Sequence, residues 1–429
     1  MNTLLRFTIE NFRSIAQRKS ILFTPDSIKD DPKDNVCKKN GIKYLRTAAI
    51  YGANSSGKSN LIKAISCMSS IIVKSVKIND NEDLLYMPFQ LNKKNPLMPT
   101  LYEVDIIVNG TRYRYGFSNE KNRICEEWLS KICENGKEKP LFIRNLEGIG
   151  VDEKLFSEGK DLESKTNDNR LFISLVGQLG GKISNSIINF FDKTLNTISG
   201  LDTEDISSYT KIMLAENLPG SDDVKEFFSR IKLGFSDVTT KTHEFNISEL
   251  PDDMPREWKE KLARELNGKK RINVLSAHGI YDENGEIVGT KTFDFEQMES
   301  DGTQKLLDLA GPIFDTILSG SILIVDELDA KMHPLISQEL VSLFNDPNRN
   351  PHGAQLIFTT HDTNLLSSNL LRRDQIWFTE KDDMEQTDVY SMRQIVLPDG
   401  SKPRGDGNIE RNYIKGRYGA IPYIQSKID

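Results

Sequence analysis

The sequence predicts an α/β fold: a mixed sheet built on a glycine-rich strand–loop–helix core, an antiparallel β subdomain, and a large, partly helical insertion. Three observations carry that expectation. The short apolar run Thr47–Tyr51 ends in the turn Gly52–Ser59 and is followed by helically spaced Leu61, Ile62, Ile65 and Met68. Around residues 102–117, apolar residues alternate with polar ones on either side of Asn109-Gly110, a dipeptide that favours the positive φ values of a tight hairpin. Two further short apolar runs, Ser321–Val325 and Gln355–Thr359, have the texture of strands buried on both faces.

Taken in order, Leu5, Phe7 and Ile9 alternate with Arg6, Thr8 and Glu10 as in a half-buried strand, and Ile21–Phe23 fits its hairpin partner. Pro25–Asn40 is polar and reads as a surface loop. After the Asn109-Gly110 hairpin, 171–195 and 221–233 have helical spacing, and Asp252–Lys270 reads as an exposed helical stretch. Asp282–Gly285 carries a second hairpin signal. The core is thus split by roughly 200 residues, far more than a structureless loop accommodates. The expected divisions are an N-terminal lobe over 1–165, a mainly helical insertion over 166–272 and a C-terminal lobe over 273–429.

Composition narrows the function. The 429 residues are 37% hydrophobic and 28% charged, with net charge −7, an ordinary globular balance. The acidity argues against a protein that coats nucleic acid, since such affinity comes from neutralising phosphates. Local basic clusters, Lys259–Arg271 and Arg404–Arg417, still leave nucleic acid possible. No window approaches the ~20 apolar residues of a membrane span, and the N-terminus lacks a signal peptide's apolar core; the expectation is a cytoplasmic protein. Cys37, Cys67, Cys125 and Cys133 form no CxxC pair, so neither zinc nor a disulfide framework is indicated.

Gly52-Ala53-Asn54-Ser55-Ser56-Gly57-Lys58-Ser59 is a complete GxxxxGK[ST] phosphate loop. Its glycines let backbone N–H groups face phosphates, Lys58 reaches the β and γ phosphates, Ser59 takes Mg²⁺, and the helix beginning there, with Asn60, adds its positive dipole end. The apolar run ending in Asp326-Glu327 supplies two acids. Asp326 would hold Mg²⁺ through water, and Glu327 would orient or deprotonate the attacking water; a plain strand end is the alternative. His361 follows Leu356–Thr359, whose strand should lie beside that of Asp326, within reach of a γ-phosphate; a structural histidine is the bland reading. Ser300-Asp301-Gly302 opens a helix that Ser300 can cap, and such an end suits an anion, although most capped helices bind nothing.

With these elements in this order, the chain resembles the ABC-type P-loop ATPases of the RecF/SMC/OLD branch, and most of all the stand-alone ATPases of bacterial phage-defence systems, of the RloA/AbiL and PARIS type. The resemblance is specific over 1–75 and 297–429. It implies an ABC-type ATPase head that binds ATP and Mg²⁺ and hydrolyses ATP as a head-to-tail homodimer. Asn11-Phe12-Arg13-Ser14 resembles the segment near the start of SMC-like heads, which implies that Arg13 touches the nucleotide. Ser300-Asp301-Gly302 resembles the ABC signature, implying contact with ATP held by the partner subunit, although Glu299, Asp301 and Thr303 depart from its usual pattern. Leu328-Asp329-Ala330 resembles the D-loop, His361 the switch histidine, and Gly416–Ile421 the C-terminal ending of these ATPases. Gln90, in Pro88-Phe89-Gln90, is the candidate for the metal-contacting Q-loop glutamine, with a surface residue as the alternative.

The resemblance implies that nucleotide state is read by a separate effector, a nuclease or toxin, because the chain shows no second set of catalytic residues. A RecF- or SMC-like role on DNA is the other reading. The sustained heptads of an SMC coiled coil are missing, and the acidity weighs against RecF. A transport motor fits least, given the large insertion and the lack of any membrane segment.

Overall fold

The computed structural model describes residues 2–28, 31–39, 41–79, 82–200, 204–247, 254–266, 268, 270–367, 369–397, 400–404 and 407–422. The chain divides into two compact units, Met1–Leu201 with Ser319–Asp429, and Asp202–Leu318.

In the first unit, β1 (Thr3–Glu10) and β2 (Lys19–Leu22) form the expected antiparallel pair. β3 (Val36–Lys39) and β4 (Ile42–Leu45) make a small hairpin whose first strand lies inside the stretch expected to be loop. Its polar look misled because Asn35 and Asp31 are buried by hydrogen bonds to residues far along the chain: Asn35 donates to Gln375, and Asp31 accepts from Arg373. β5 (Thr47–Gly52) leads through the glycine-rich turn into α1 (Lys58–Lys74). β6 (Thr100–Val108), β7 (Thr111–Asn119), β8 (Ile124–Ile132), β9 (Glu138–Asn145) and β10 (Gly148–Val151) follow as a meander. Asn109 (φ 52°) and Gly110 (φ 81°) supply the positive dihedrals its first turn requires. This antiparallel sheet has the order β10-β9-β8-β7-β6-β1-β2.

α2 (Phe172–Gln178) and α3 (Lys182–Asn189) lead to β11 (Leu195–Ser199). The segment 166–272, expected as one insertion, is therefore divided. Its first part belongs to the core unit, and β11 pairs in parallel with the strand that ends in Asp326.

The second unit holds α4 (Glu204–Ala215), α5 (Ser221–Ile231), β12 (Asp237–Glu244), α6 (Arg256–Leu266), β13 (Lys270–Tyr281), β14 (Ile287–Asp294), α7 (Phe295–Met298) and α8 (Asp301–Ser319). β12, β13 and β14 form an antiparallel sheet, with β13 and β14 joined by the expected turn at Asp282–Gly285, where Gly285 N–H donates to Asp282 O at 3.0 Å. Phe227, Phe228, Phe235 and Phe295 form its aromatic core. The charged stretch Asp252–Lys270 is helical over α6, and Lys270 already opens β13. Asp252 and Lys269, both within the charged segments singled out from the sequence, lie outside the described residues, as do residues 405 and 406 of the Arg404–Arg417 cluster.

Back in the first unit come β15 (Ile322–Asp326), α9 (Pro334–Asn345), β16 (Gln355–Thr359), α10 (Asn364–Ser367), β17 (Ile376–Lys381), β18 (Thr387–Ser391) and α11 (Ile409–Ile414). The core sheet has the order β11-β15-β16-β5-β17-β18, with β11 through β17 parallel and β18 antiparallel at the edge. α1 joins the two sheets into one hydrophobic core. Its Ile65 and Met68 share a cluster with Tyr102 and Phe117 of the antiparallel sheet and with Ile50 and Ile324 of the parallel one. Each such side chain, once buried, contributes about 1.5–3 kcal/mol, so α1 is firmly seated. No helix among the described residues is long and apolar enough to cross a membrane, and the four cysteines are free.

Candidate nucleotide site

Parallel strands bring their carboxyl ends to one edge of a sheet, where clefts for ligands form. β5 ends at Gly52, and its neighbour β16 at Thr359. β15 lies next to β16 and ends at Asp326. At this edge a cavity of about 810 Å³ is lined by Asn54–Asn60, Glu327, His361 and Lys381.

The loop is held from several sides. Ser56 Oγ hydrogen-bonds Thr379 Oγ1 of β17 at 2.6 Å, and Thr387 Oγ1 of β18 donates to Ser56 O at 2.9 Å. Gly57 has φ 111°, and a Cβ there would overlap the Thr387 side chain, so only glycine fits. Asn60 Nδ2 donates to Ser14 Oγ at 2.7 Å and Arg13 Nη1 to Asn60 Oδ1 at 3.2 Å, tying the N-terminal bend to the start of α1. Asn11 and Arg13 both have positive φ, and the Asn11 side chain fixes that bend by donating to Asn95 O and Met98 O and accepting from Phe89 N. Lys58 is 6% exposed, and its ammonium donates to Gly52 O at 2.9 Å and Ala53 O at 3.1 Å. Burial lowers its pKa, while Glu327, Asp326 and Asp329 pull it back up.

On the facing strands, Thr359 is the pivot. Its hydroxyl donates to Asp326 Oδ1 at 2.7 Å and accepts from Glu327 N–H at 2.7 Å. That fixes both acids relative to β16, with Glu327 in a left-handed conformation (φ 59°). Asp329 accepts from the His361 N–H at 3.2 Å, so the turn after Glu327 is tied to the turn that carries His361. Burial lowers the His361 pKa below its ordinary 6.5, and the positive Lys58 pushes the same way, against the acids Asp329, Glu327 and Asp326.

The sequence-predicted residues therefore fall into three groups. Asn54, Ser55, Ser56, Gly57, Lys58, Ser59, Asn60, Glu327 and His361 meet at one cavity. Gly52, Asp326, Asp329 and Arg13 adjoin it through the bonds just described. Ser300 and Gly302 belong to the second unit, where Ser300 Oγ accepts from Thr303 N–H at 3.3 Å as the expected cap, and Gln304 donates to Glu296 O and Glu299 O. Glu299 also meets His278 of β13 at 3.0 Å.

Gln90 is not brought to the cavity. It is exposed, its amide donates to Pro88 O, and it lines a neighbouring recess of about 460 Å³ with Arg13, Tyr86 and Leu91. Parallel pairing instead sets Ser199 and Gly200 beside Asp326, with Gly200 N–H donating to Asp326 O at 2.6 Å. No glutamine stands there, and no spacing rule applied to 76–296 could locate a strand preceded by so much inserted chain.

Sequence reasoning also missed Thr359, Thr379, Thr387 and Lys381. The threonines look like ordinary strand residues, and only the sheet order reveals what they touch. His333 and Gly416–Ile421 have local tasks: His333 Nδ1 accepts from Leu335 N–H at the start of α9, and Tyr413 donates to Ala420 O.

No curated protein matches the chain. Among solved structures, the SMC head domain from Thermotoga maritima aligns with TM-score 0.41 and 13% identity, covering 90% of this chain and 98% of that one. The recombination mediator protein RecF-ATPrS aligns with TM-score 0.35 and 12% identity, again covering 90% of this chain and 98% of that one. A family model described as "AAA domain, putative AbiEii toxin, Type IV TA system" matches residues 48–367, from the strand before the phosphate loop past His361. The chain belongs to that AAA-domain family of P-loop ATPases.

Proposed function

We propose that this chain binds Mg·ATP at the Gly52–Ser59 loop, hydrolyses it when two copies close head to tail, and passes its nucleotide state to a separate effector in bacterial defence. The observation that carries the proposal is the convergence of the loop, Glu327 and His361 on one cavity, whose volume lies in the usual range for small-ligand sites.

The donor set suits Mg²⁺. Ser59 and Asp326 offer hard oxygens, and Mg²⁺ is ordinarily held by one or two such groups together with substrate phosphates. Among the described residues no group of three or more His, Cys, Asp or Glu could hold a metal unaided, which agrees with that division of labour. When bound, the ion would neutralise charge on the β and γ phosphates. Lys58 and the loop N–H groups hold the phosphates. Glu327 orients the attacking water and takes its proton. Neutral His361 donates or accepts a hydrogen bond near the γ-phosphate without adding charge. Ser300 and Gly302 of one copy serve the ATP held by the other, and nucleotide-driven closure becomes a change in subunit geometry. The apolar recess beside Arg13 suits the nucleoside end.

The family's description supports a defence setting, and the effector would be a nuclease or toxin on another chain. Two measurements test this reading: Mg²⁺-dependent phosphate release by the purified chain, and gel filtration of Glu327→Gln with Mg·ATP. No phosphate release, or no ATP-dependent dimer in that variant, would sink it. Phosphate release stimulated by duplex DNA, with no co-purifying partner, would transfer the output to DNA.

A further inference from the structure

We infer that Lys381 is a second cationic ligand of the nucleotide, supplied by the β17–β18 hairpin and placed at the α-phosphate. The inference rests on the proposed nucleotide reading of the cavity.

Three placements lead there. β17 runs parallel to β5 with Thr379 opposite Gly52. Residues two apart on a strand share a face, and Thr379 shows which way this one looks, because its hydroxyl bonds Ser56 of the loop. Lys381 therefore projects from the face that holds the phosphate loop. Across the hairpin, Lys381 pairs with Thr387, the residue that fills the space over Gly57 and bonds Ser56 O. The Lys381 backbone is thus fixed beside Ser56–Gly57.

The third placement sets the contact point. Lys381 lines both the phosphate-loop cavity and the neighbouring recess of Arg13, Tyr86, Met87 and Leu91. Lys58 stands deep in the first, next to Asp326 and Glu327, where the β and γ phosphates belong. The apolar recess takes the nucleoside. A cation shared by both spaces meets the group between them, the α-phosphate. The two lysines also differ in freedom. Lys58 is almost wholly buried, whereas the Lys381 side chain is 33% exposed and makes a 3.3 Å ion pair with Glu385 in the hairpin turn. An exposed pair of this kind is worth little, so Lys381 can exchange Glu385 for a phosphate oxygen.

ATP, ADP and AMP all carry the α-phosphate, AMP lacks the β-phosphate, and adenosine lacks both, which gives the test. The full chain is titrated calorimetrically with ATP, ADP, AMP and adenosine, as wild type, Lys381→Ala, Lys381→Arg and Lys58→Ala. Lys381→Ala should weaken ATP, ADP and AMP alike by about tenfold, equal to about 1.4 kcal/mol, leave adenosine unchanged, and be largely rescued by Lys381→Arg; a loss for ATP and ADP with AMP unchanged would overturn the α-phosphate placement. ATP and ADP affinities in Lys381→Ala within about twofold of wild type, alongside lost ATP binding in Lys58→Ala, would overturn the role of Lys381 while the site reading stands. An equal loss for adenosine would also overturn it, by making Lys381 a support of the recess. A wild-type chain that binds none of the four ligands would remove the site and Lys381 together.

Discussion

The phosphate loop and the signature turn are both glycine-containing entries to long helices, yet they are braced in opposite ways. The loop's bonds reach across the chain: Thr379 and Thr387 hold Ser56, and Ser14 holds Asn60. The bonds described for the signature turn are short in sequence. Thr303 and Ser300 bond each other, Gln304 reaches back to Glu296 and Glu299, and His278 reaches Glu299 from the adjoining strand. A loop braced by distant strands keeps its shape only if the whole core sheet is formed. The bonds described for the signature turn stay within its own unit. The first entry is thus braced across the sheet, and the second by near neighbours.

The largest test of this contrast is Gly57→Ala. The left-handed φ and the overlap with Thr387 combine, each of a kind that costs on the order of 1–3 kcal/mol, so nucleotide binding should be lost. Thr387→Ala added to it removes the two nearest overlapping atoms but leaves the Thr387 Cβ and takes away the bond to Ser56 O, so it should restore binding only in part. Full binding by Gly57→Ala alone, measured calorimetrically, would break the idea of a rigid loop. Lys58→Ala belongs with it: ATP binding or turnover should vanish while the melting temperature stays close to wild type.

Next in size is the acid pair. Thr359→Val keeps the shape but leaves the Glu327 N–H and Asp326 Oδ1 short of a partner, a loss of about 1–3 kcal/mol. Phosphate release should slow by about tenfold or more with ATP affinity nearly unchanged. Equal losses in both would mean that Thr359 serves the loop as well.

The signature turn predicts the opposite behaviour. Ser300→Arg should leave ATP affinity nearly intact and abolish turnover in a homodimer. Mixed with Lys58→Ala, it should recover part of the activity, because one of the two composite sites then receives two unaltered halves. A dead mixture, despite proven mixed dimers, would show that the turn does not act on a second copy.

The smallest effect is in pH. His361 should titrate below 6.5, because burial and Lys58 both disfavour its charged form. It is therefore neutral at pH 7, and gains a proton only as pH falls through that lowered value. Carbon-resolved NMR of the imidazole should show the depressed midpoint, and Lys58→Ala should raise it. A midpoint above 6.5 would mean that the acids outweigh burial and Lys58.

Much of the core was legible because its signals are local. The strand–loop–helix at Thr47–Ser70 and the Asn109-Gly110 hairpin declare themselves within a dozen residues, as do the apolar strands before Asp326 and His361. What stayed hidden depends on partners far away in sequence. The β3–β4 hairpin looks like loop until Gln375 and Arg373 are seen to bury its flanks. β11 carries only partly buried or exposed residues after Leu195, too weak a pattern to mark it as the strand beside Asp326. Gln90 lines the neighbouring recess and not the cavity: a glutamine is common, and only strand order shows which loop faces the acids.

β11 and β15 carry one more implication. The chain leaves the core at Gly200, bonded to the Asp326 carbonyl, and returns at Ser319, whose hydroxyl bonds Ser321 just before Ile322. Both backbone connections to the second unit therefore adjoin β15, one at each end. The strand that ends in Asp326 is thus framed by the two points where the chain passes between units.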